Sequence, residues 1–140
     1  MAFATRTLRD TAMGTAGAQG GYVTILVNID NDTTATNAIL DASALSGHAN
    51  GAKLHISRLW WGLVEGTTND DTGHVAIIEQ GDSDVTLIDL AGSGYYDGSA
   101  GLIKSNVTNT GATSGDMEMS CQGTSGFVMI EFKKDENYTS

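Results

Sequence analysis

The chain contains no proline and one cysteine, Cys121. The lack of proline argues against PPII linkers and collagen-like segments. A lone cysteine excludes an intrachain disulfide, and its place in the MEMSC run reads as a buried strand position rather than a reactive thiol. Basic residues are scarce: seven lysines and arginines stand against seventeen acids, for a formal net charge of −10. A surface of that sign repels phosphate backbones, so nucleic acid is not an expected partner. No run approaches the roughly 18 apolar residues of a membrane-crossing helix, and no membrane partner is expected. The opening residues, MAFATRTLRDTAMG, lack the apolar stretch of a secretory signal, so the N-x-Thr sequons at Asn31, Asn106 and Asn137 are read as chance.

An amphipathic helical period is missing as well. From about residue 52 to 134, short apolar runs alternate with turns rich in Gly, Ser, Thr, Asn and Asp. KLHISRLWWGLV gives way to EGTTNDDTG, then HVAIIEQ, GDSD, VTLIDL, AGSGYYDGSAG, GDMEMSC, QGTSG and FVMIEFKK. This is the pattern of an all-β fold: a single antiparallel β-sandwich, jelly-roll-like. At 140 residues, 40% of them hydrophobic, the chain can bury a core as one domain. Its 18 glycines supply the positive-φ turn positions.

Residues 1–20 read as an extended N-terminal arm with little core of its own, either frayed or ordered against a neighbouring subunit. Residues 21–140 form the sandwich. YVTILVNID is the first strand expected there. Residues 36–42 suit either a short helix capped by Asn37 or a strand, and the strand is favoured. In residues 52–64, Leu54, Ile56, Arg58 and Trp60 are expected on one face; His55, Ser57, Leu59 and Trp61 are expected on the other. Strands are also expected at 74–80, 85–90, 115–121 and 127–134. In the last, Phe127, Met129 and Glu131 oppose Val128, Ile130 and Phe132. Residues 91–113 lack a clear core pattern.

No motif carries chemistry. Asn28, Asp30 and Asp32 alternate like the first calcium ligands of an EF-hand, but Thr33 and Ile39 stand where Gly and Glu are needed. The Asn69-Asp70-Asp71 cluster with Gly73 suits a Ca²⁺-holding turn and a solvated turn equally well. His48, His55 and His74 show no metal-ligand spacing. Asp116 and Glu118 share a strand face, which a solvated or inter-subunit surface explains better than paired-carboxylate catalysis. GSGYYDGSAG has no Lys-Ser/Thr element to cradle phosphate. No enzyme activity and no cofactor are expected. The candidate protein contacts are Arg6 and Arg9 of the arm, Trp60 and Trp61, and Tyr95 with Tyr96 at a loop tip.

Trp60 and Trp61, the strand–turn–strand that closes on Leu90, Gly92 and Gly94, the entry Thr110, Gly111, Gly115 and Asp116, and the basic ending Lys133-Lys134 together resemble small virion structural proteins of tailed bacteriophages, especially marine ones. The likeness spans residues 36–134. It implies a virion component, and within that class a capsid decoration or cement protein. Such a protein would be made in the host cytoplasm and would bind the major capsid protein on the head surface at capsomer junctions, as a homotrimer. A tail-, neck- or fibre-associated domain and a carbohydrate-binding, lectin-like module are the alternatives.

Overall fold

The computed structural model describes residues 2–11, 21–32, 36–49, 51–65, 73–107, 115–121 and 123–138. Nine strands run through them: β1 (Ala2–Asp10), β2 (Tyr22–Asp32), β3 (Thr36–Leu40), β4 (Leu54–Glu65), β5 (His74–Glu79), β6 (Val85–Ala91), β7 (Ser93–Tyr96), β8 (Met117–Cys121) and β9 (Thr124–Lys134). The strands form two sheets. Sheet A has the order β1-β2-β9-β4-β7, and sheet B the order β3-β8-β5-β6. All pairings are antiparallel.

The pairings are nested. β5 pairs with β6, β4 with β7, β3 with β8 and β2 with β9. The chain is therefore one long hairpin with its tip between Glu79 and Val85, and its two arms cross together from sheet to sheet. The all-β sandwich expected from the run-and-turn rhythm is the observed fold. The ambiguous segment after residue 36 is strand β3, followed by a short 3-10 turn at Ala42–Ala44. Asp41 caps that turn by accepting the Ser43 N–H at 3.0 Å.

Period-two alternation builds the core, because successive strand side chains point to opposite faces. β2 turns Val23, Ile25, Val27 and Ile29 inward; β9 turns Val128, Ile130 and Phe132 inward. Met117, Met119 and Cys121 of β8 and Val75 and Ile77 of β5 meet them from sheet B. Burying each large side chain contributes about 1.5–3 kcal/mol, set against the entropy of ordering the chain.

The expected alternation fails within β4. A register shift between Ile56 and Arg58 interrupts the β4–β9 ladder. Leu54 and Ile56 point inward, as do Leu59 and Leu63, whereas Arg58 is exposed. A β-bulge adds one residue and so exchanges the faces beyond it. Ser57 occupies the bulge, and its Oγ donates to the Glu131 carbonyl at 3.0 Å and to Glu131 Oε1 at 2.8 Å.

Two strands replace segments expected to be irregular. Residues 2–10 of the expected arm pair along β2 as the edge of sheet A. From Ala4 to Asp10 they are exposed, so backbone bonds rather than apolar burial hold them. Residues 12–20 of that arm, Asn69-Asp70-Asp71, and Thr110 with Gly111 lie outside the described residues. Within the expected 91–113 loop, Ser93–Tyr96 forms β7, the opposite edge of the same sheet. Edge strands bury little, so their sequences show weak alternation.

One buried cation ties these parts together. The Lys134 side chain is fully buried, and its Nζ donates to Asp10 Oδ1 at 2.5 Å, to the Ser46 carbonyl at 2.7 Å and to the Thr11 carbonyl at 2.9 Å. An ammonium has three donors, and here each has an acceptor. Replacing Lys134 with Met is expected to lower stability by about 3 kcal/mol, since a charged partner is left behind. Urea unfolding measures that loss. Hydrogen exchange should show the amides of β1 losing protection before those of β9.

Candidate interaction surface

The outer face of sheet A gathers much of what the sequence singled out. Its strand registers place Arg6 beside Leu26, Leu26 beside Met129, Met129 beside Trp60, and Trp60 beside Tyr95. These five residues form one row across all five strands. Everything between Leu26 and Tyr95 in that row is apolar or aromatic, and Arg6 closes it at the β1 edge. Tyr95 is 66% exposed. Phe127, 40% exposed, lies one step away along β9, with its ring over Gly62. A Cβ at Gly62 would come within 2.9 Å of that ring, so the glycine seats it. Four of the five large hydrophobics that are exposed among the described residues, Leu8, Val64, Tyr95 and Phe127, lie on strands of this sheet.

The next row is charged. Arg9 Nη2 lies 3.0 Å from Glu131 Oε2, and Arg58 Nε lies 3.7 Å from Glu131 Oε1. Arg9 and Lys133 also stand over the Tyr22 ring, at 5.3 Å and 5.0 Å from its centroid. Cation–π contacts of this kind contribute roughly 0.5–1 kcal/mol at exposed sites.

The six candidate residues divide between the faces. Arg6, Arg9, Trp60 and Tyr95 share the outer surface. Trp61 and Tyr96 point the other way and pack partly buried against the core. Trp61 Nε1 donates to the Ala91 carbonyl at 3.0 Å, and Gly94 lies under its ring. Tyr96 donates its hydroxyl to the Gly101 carbonyl at 2.5 Å and so pins the 97–102 turn. Each aromatic pair therefore contributes one residue to the surface and one to stability.

The remaining polar candidates are dispersed. Asp116 Oδ1 accepts the Ala42 N–H at 2.7 Å, which joins β8 to the 3-10 turn. His74 Nδ1 meets Asp89 Oδ1 at 3.0 Å. His55 Nδ1 accepts from the Ser105 N–H at 2.9 Å; burial lowers its pKa and favours the neutral ring. Among the described residues, no group of three or more His, Cys, Asp or Glu is placed to hold a metal ion. Asn28 and Asp30 lie in an extended strand, not a ligand loop.

One polar feature was missed from the sequence. Glu79 is wholly buried, and its Oε2 accepts the Leu54 N–H at 2.9 Å. Burial raises its pKa to about 7, against the pull of the Ser105 hydroxyl and the Leu54 amide. Nearby, Tyr138 is 3% exposed, and its ring meets the edge of His48 at 5.8 Å. Burial, then the Glu79 charge, pushes the Tyr138 hydroxyl pKa up. The signal was present in HVAIIE, where Glu79 occupies the same inward register as Val75 and Ile77.

No family model matches this chain, and neither does any curated protein or solved structure.

Two outcomes follow from this geometry. Between about pH 4.5 and 7, native Glu79 keeps a proton that the unfolded chain releases. Its contribution to stability is therefore complete below that window and is lost as pH rises through it, by on the order of 3 kcal/mol. Urea midpoints measured across the window should show this fall, and Glu79→Gln should flatten it. Separately, Tyr95→Ala should change stability by less than about 0.5 kcal/mol, as an exposed surface change does, whereas Tyr96→Ala should cost about 2 kcal/mol. Paired urea melts decide this; equal losses would contradict the assignment of faces.

Proposed function

We propose that this chain is a jelly-roll virion structural protein of a tailed bacteriophage, acting as a capsid decoration or cement protein. The supporting observation for the fold is the nested strand order, β2-β9-β4-β7 over β3-β8-β5-β6, with β1 added at one edge. A hairpin rolled in this way supports reading it as a jelly roll, an architecture found in viral capsid and lectin domains. The observation that carries the functional reading is the row from Arg6 to Tyr95. An apolar and aromatic band that is open to solvent on an otherwise acidic molecule is suited to protein contact. The mechanism in this reading is adhesion. In this reading the partner is the major capsid protein, the protein works as a homotrimer on the head surface, and many modest contacts add through multivalency. The phage assignment itself rests on the resemblance of residues 36–134.

Trp60, Tyr95 and Phe127 also favour a second reading, a lectin-like module stacking a sugar on an aromatic platform.

The test mixes purified protein with phage heads that lack it, sediments them and counts bound copies. Saturable binding at a symmetry-related number, with heads that resist heat better, is the expected result. Trp60→Ala with Tyr95→Ala should reduce binding at least tenfold. Absence of binding by the unaltered protein would sink the cement reading, and glycan-array binding instead would establish the second.

A further inference from the structure

The two outer faces of the sandwich differ in charge and in relief. The seven lysines and arginines are Arg6, Arg9, Lys53, Arg58, Lys104, Lys133 and Lys134, and none lies in a strand of sheet B. Arg6, Arg9, Arg58 and Lys133 all stand on the outer face of sheet A, around its projecting aromatics. They outnumber the strand carboxylates of that face, Asp30 and Glu131, so it is net basic on a molecule of net charge −10.

Sheet B presents the counterpart. One outward row runs Ala38, Glu118, Ile78, Thr86 and the next runs Thr36, Ser120, Ala76, Asp89. Among the described residues, this face carries no aromatic residue other than His74, and Ala38, Thr36, Ser120, Ala76 and Thr86 keep much of it low. Its charges are carboxylates: Glu118 lies beside Asp84, and burial followed by that neighbour raises the Glu118 pKa. A carboxylate pair of this kind gains from a nearby cation. His74, on the same face, is already bonded to Asp89.

We propose that the outer face of sheet A in one copy seats on the outer face of sheet B in a second copy, head to tail. Bulky, basic relief then meets flat, acidic relief. Two sheet A faces brought together would instead oppose one net basic face with another. A head-to-tail contact uses two different patches, so it propagates until a ring closes or a filament grows. Sheet B is the smaller face. Its four strands of five to seven residues span about 14 by 20 Å, roughly 280 Å² a side, which is below the standard size and makes the contact a weak, transient one. Association is therefore concentration-dependent and salt-sensitive. This inference does not depend on the virion reading.

Sedimentation velocity from micromolar to millimolar protein tests it. The expected result is a mass that rises above the monomer with concentration and falls back in 1 M salt, where the Debye length shrinks to about 3 Å. Arg6→Glu and Glu118→Lys should each weaken association by about tenfold or more, because each puts like charges across the contact. Both are surface changes, and circular dichroism checks that each variant is folded. Mixing the two variants should restore association, since the altered sheet A face of one suits the altered sheet B face of the other. A monomer at every concentration, or an oligomer indifferent to both reversals, would overturn the proposal. Head binding by the Arg6→Glu monomer would separate the two readings: it would support the decoration role whatever the outcome for self-association.

Discussion

The ammonium of Lys134 sits where four parts of the chain come together. It ends β9, takes the Asp10 carboxylate from the end of β1, and takes carbonyls from Thr11 and Ser46. Tyr138 stands beside it, with its ring centroid 5.5 Å from Nζ. A buried charge is costly unless every donor is engaged, so these partners cannot drift independently. The N-terminal edge of sheet A, the turn after β3 and the C-terminal residues are thereby registered against one point. Glu79 and His48 extend the same polar end of the sandwich inward. The opposite requirement holds along the middle of the sheets, where aliphatic side chains pack without polar partners.

This division of labour puts the proposed interaction surface on the most extensively paired part of sheet A. β9, at the centre of sheet A, forms the longest ladder with β4, and the outer row crosses both. Met129 and Leu26 carry the row between its edges, while Ile130 and Ile25, their chain neighbours, anchor the same strands in the core. Surface and core are the two phases of a single alternation. The proposed contact face lies on paired strands, so binding there would not require a loop to order, which lowers the entropic cost.

Most of the fold was legible where both faces of a strand had distinct fates. β2, β5, β8 and β9 show clear alternation or apolar runs bounded by turn residues, and their places agree with the structure. β1 and β7 were not legible, because edge strands depend on backbone pairing that leaves little mark on side-chain pattern. The faces of β4 were misjudged after Ile56, since a bulge at Ser57 is invisible to a strict period of two. The candidate surface was half legible. Aromatic pairs such as Trp60-Trp61 and Tyr95-Tyr96 stand out in sequence, but only the register shows that Trp60 and Tyr95 meet each other, Met129 and Leu26 in one row. Glu79 was overlooked although its inward phase could be counted from Val75.

The nested hairpin also dictates when the protein can fold. β9, the last strand of the chain, lies between β2 and β4 in sheet A. Until it is made, β2 and β4 have no strand to bridge them, and the sequence neighbours that can already pair are β1 with β2 and β5 with β6. Nearly all the remaining contacts join distant parts of the chain, and such topologies acquire their structure slowly. The aliphatic faces of β2 and β4 therefore stay open until β9 is made, and sheet A closes only once that strand joins.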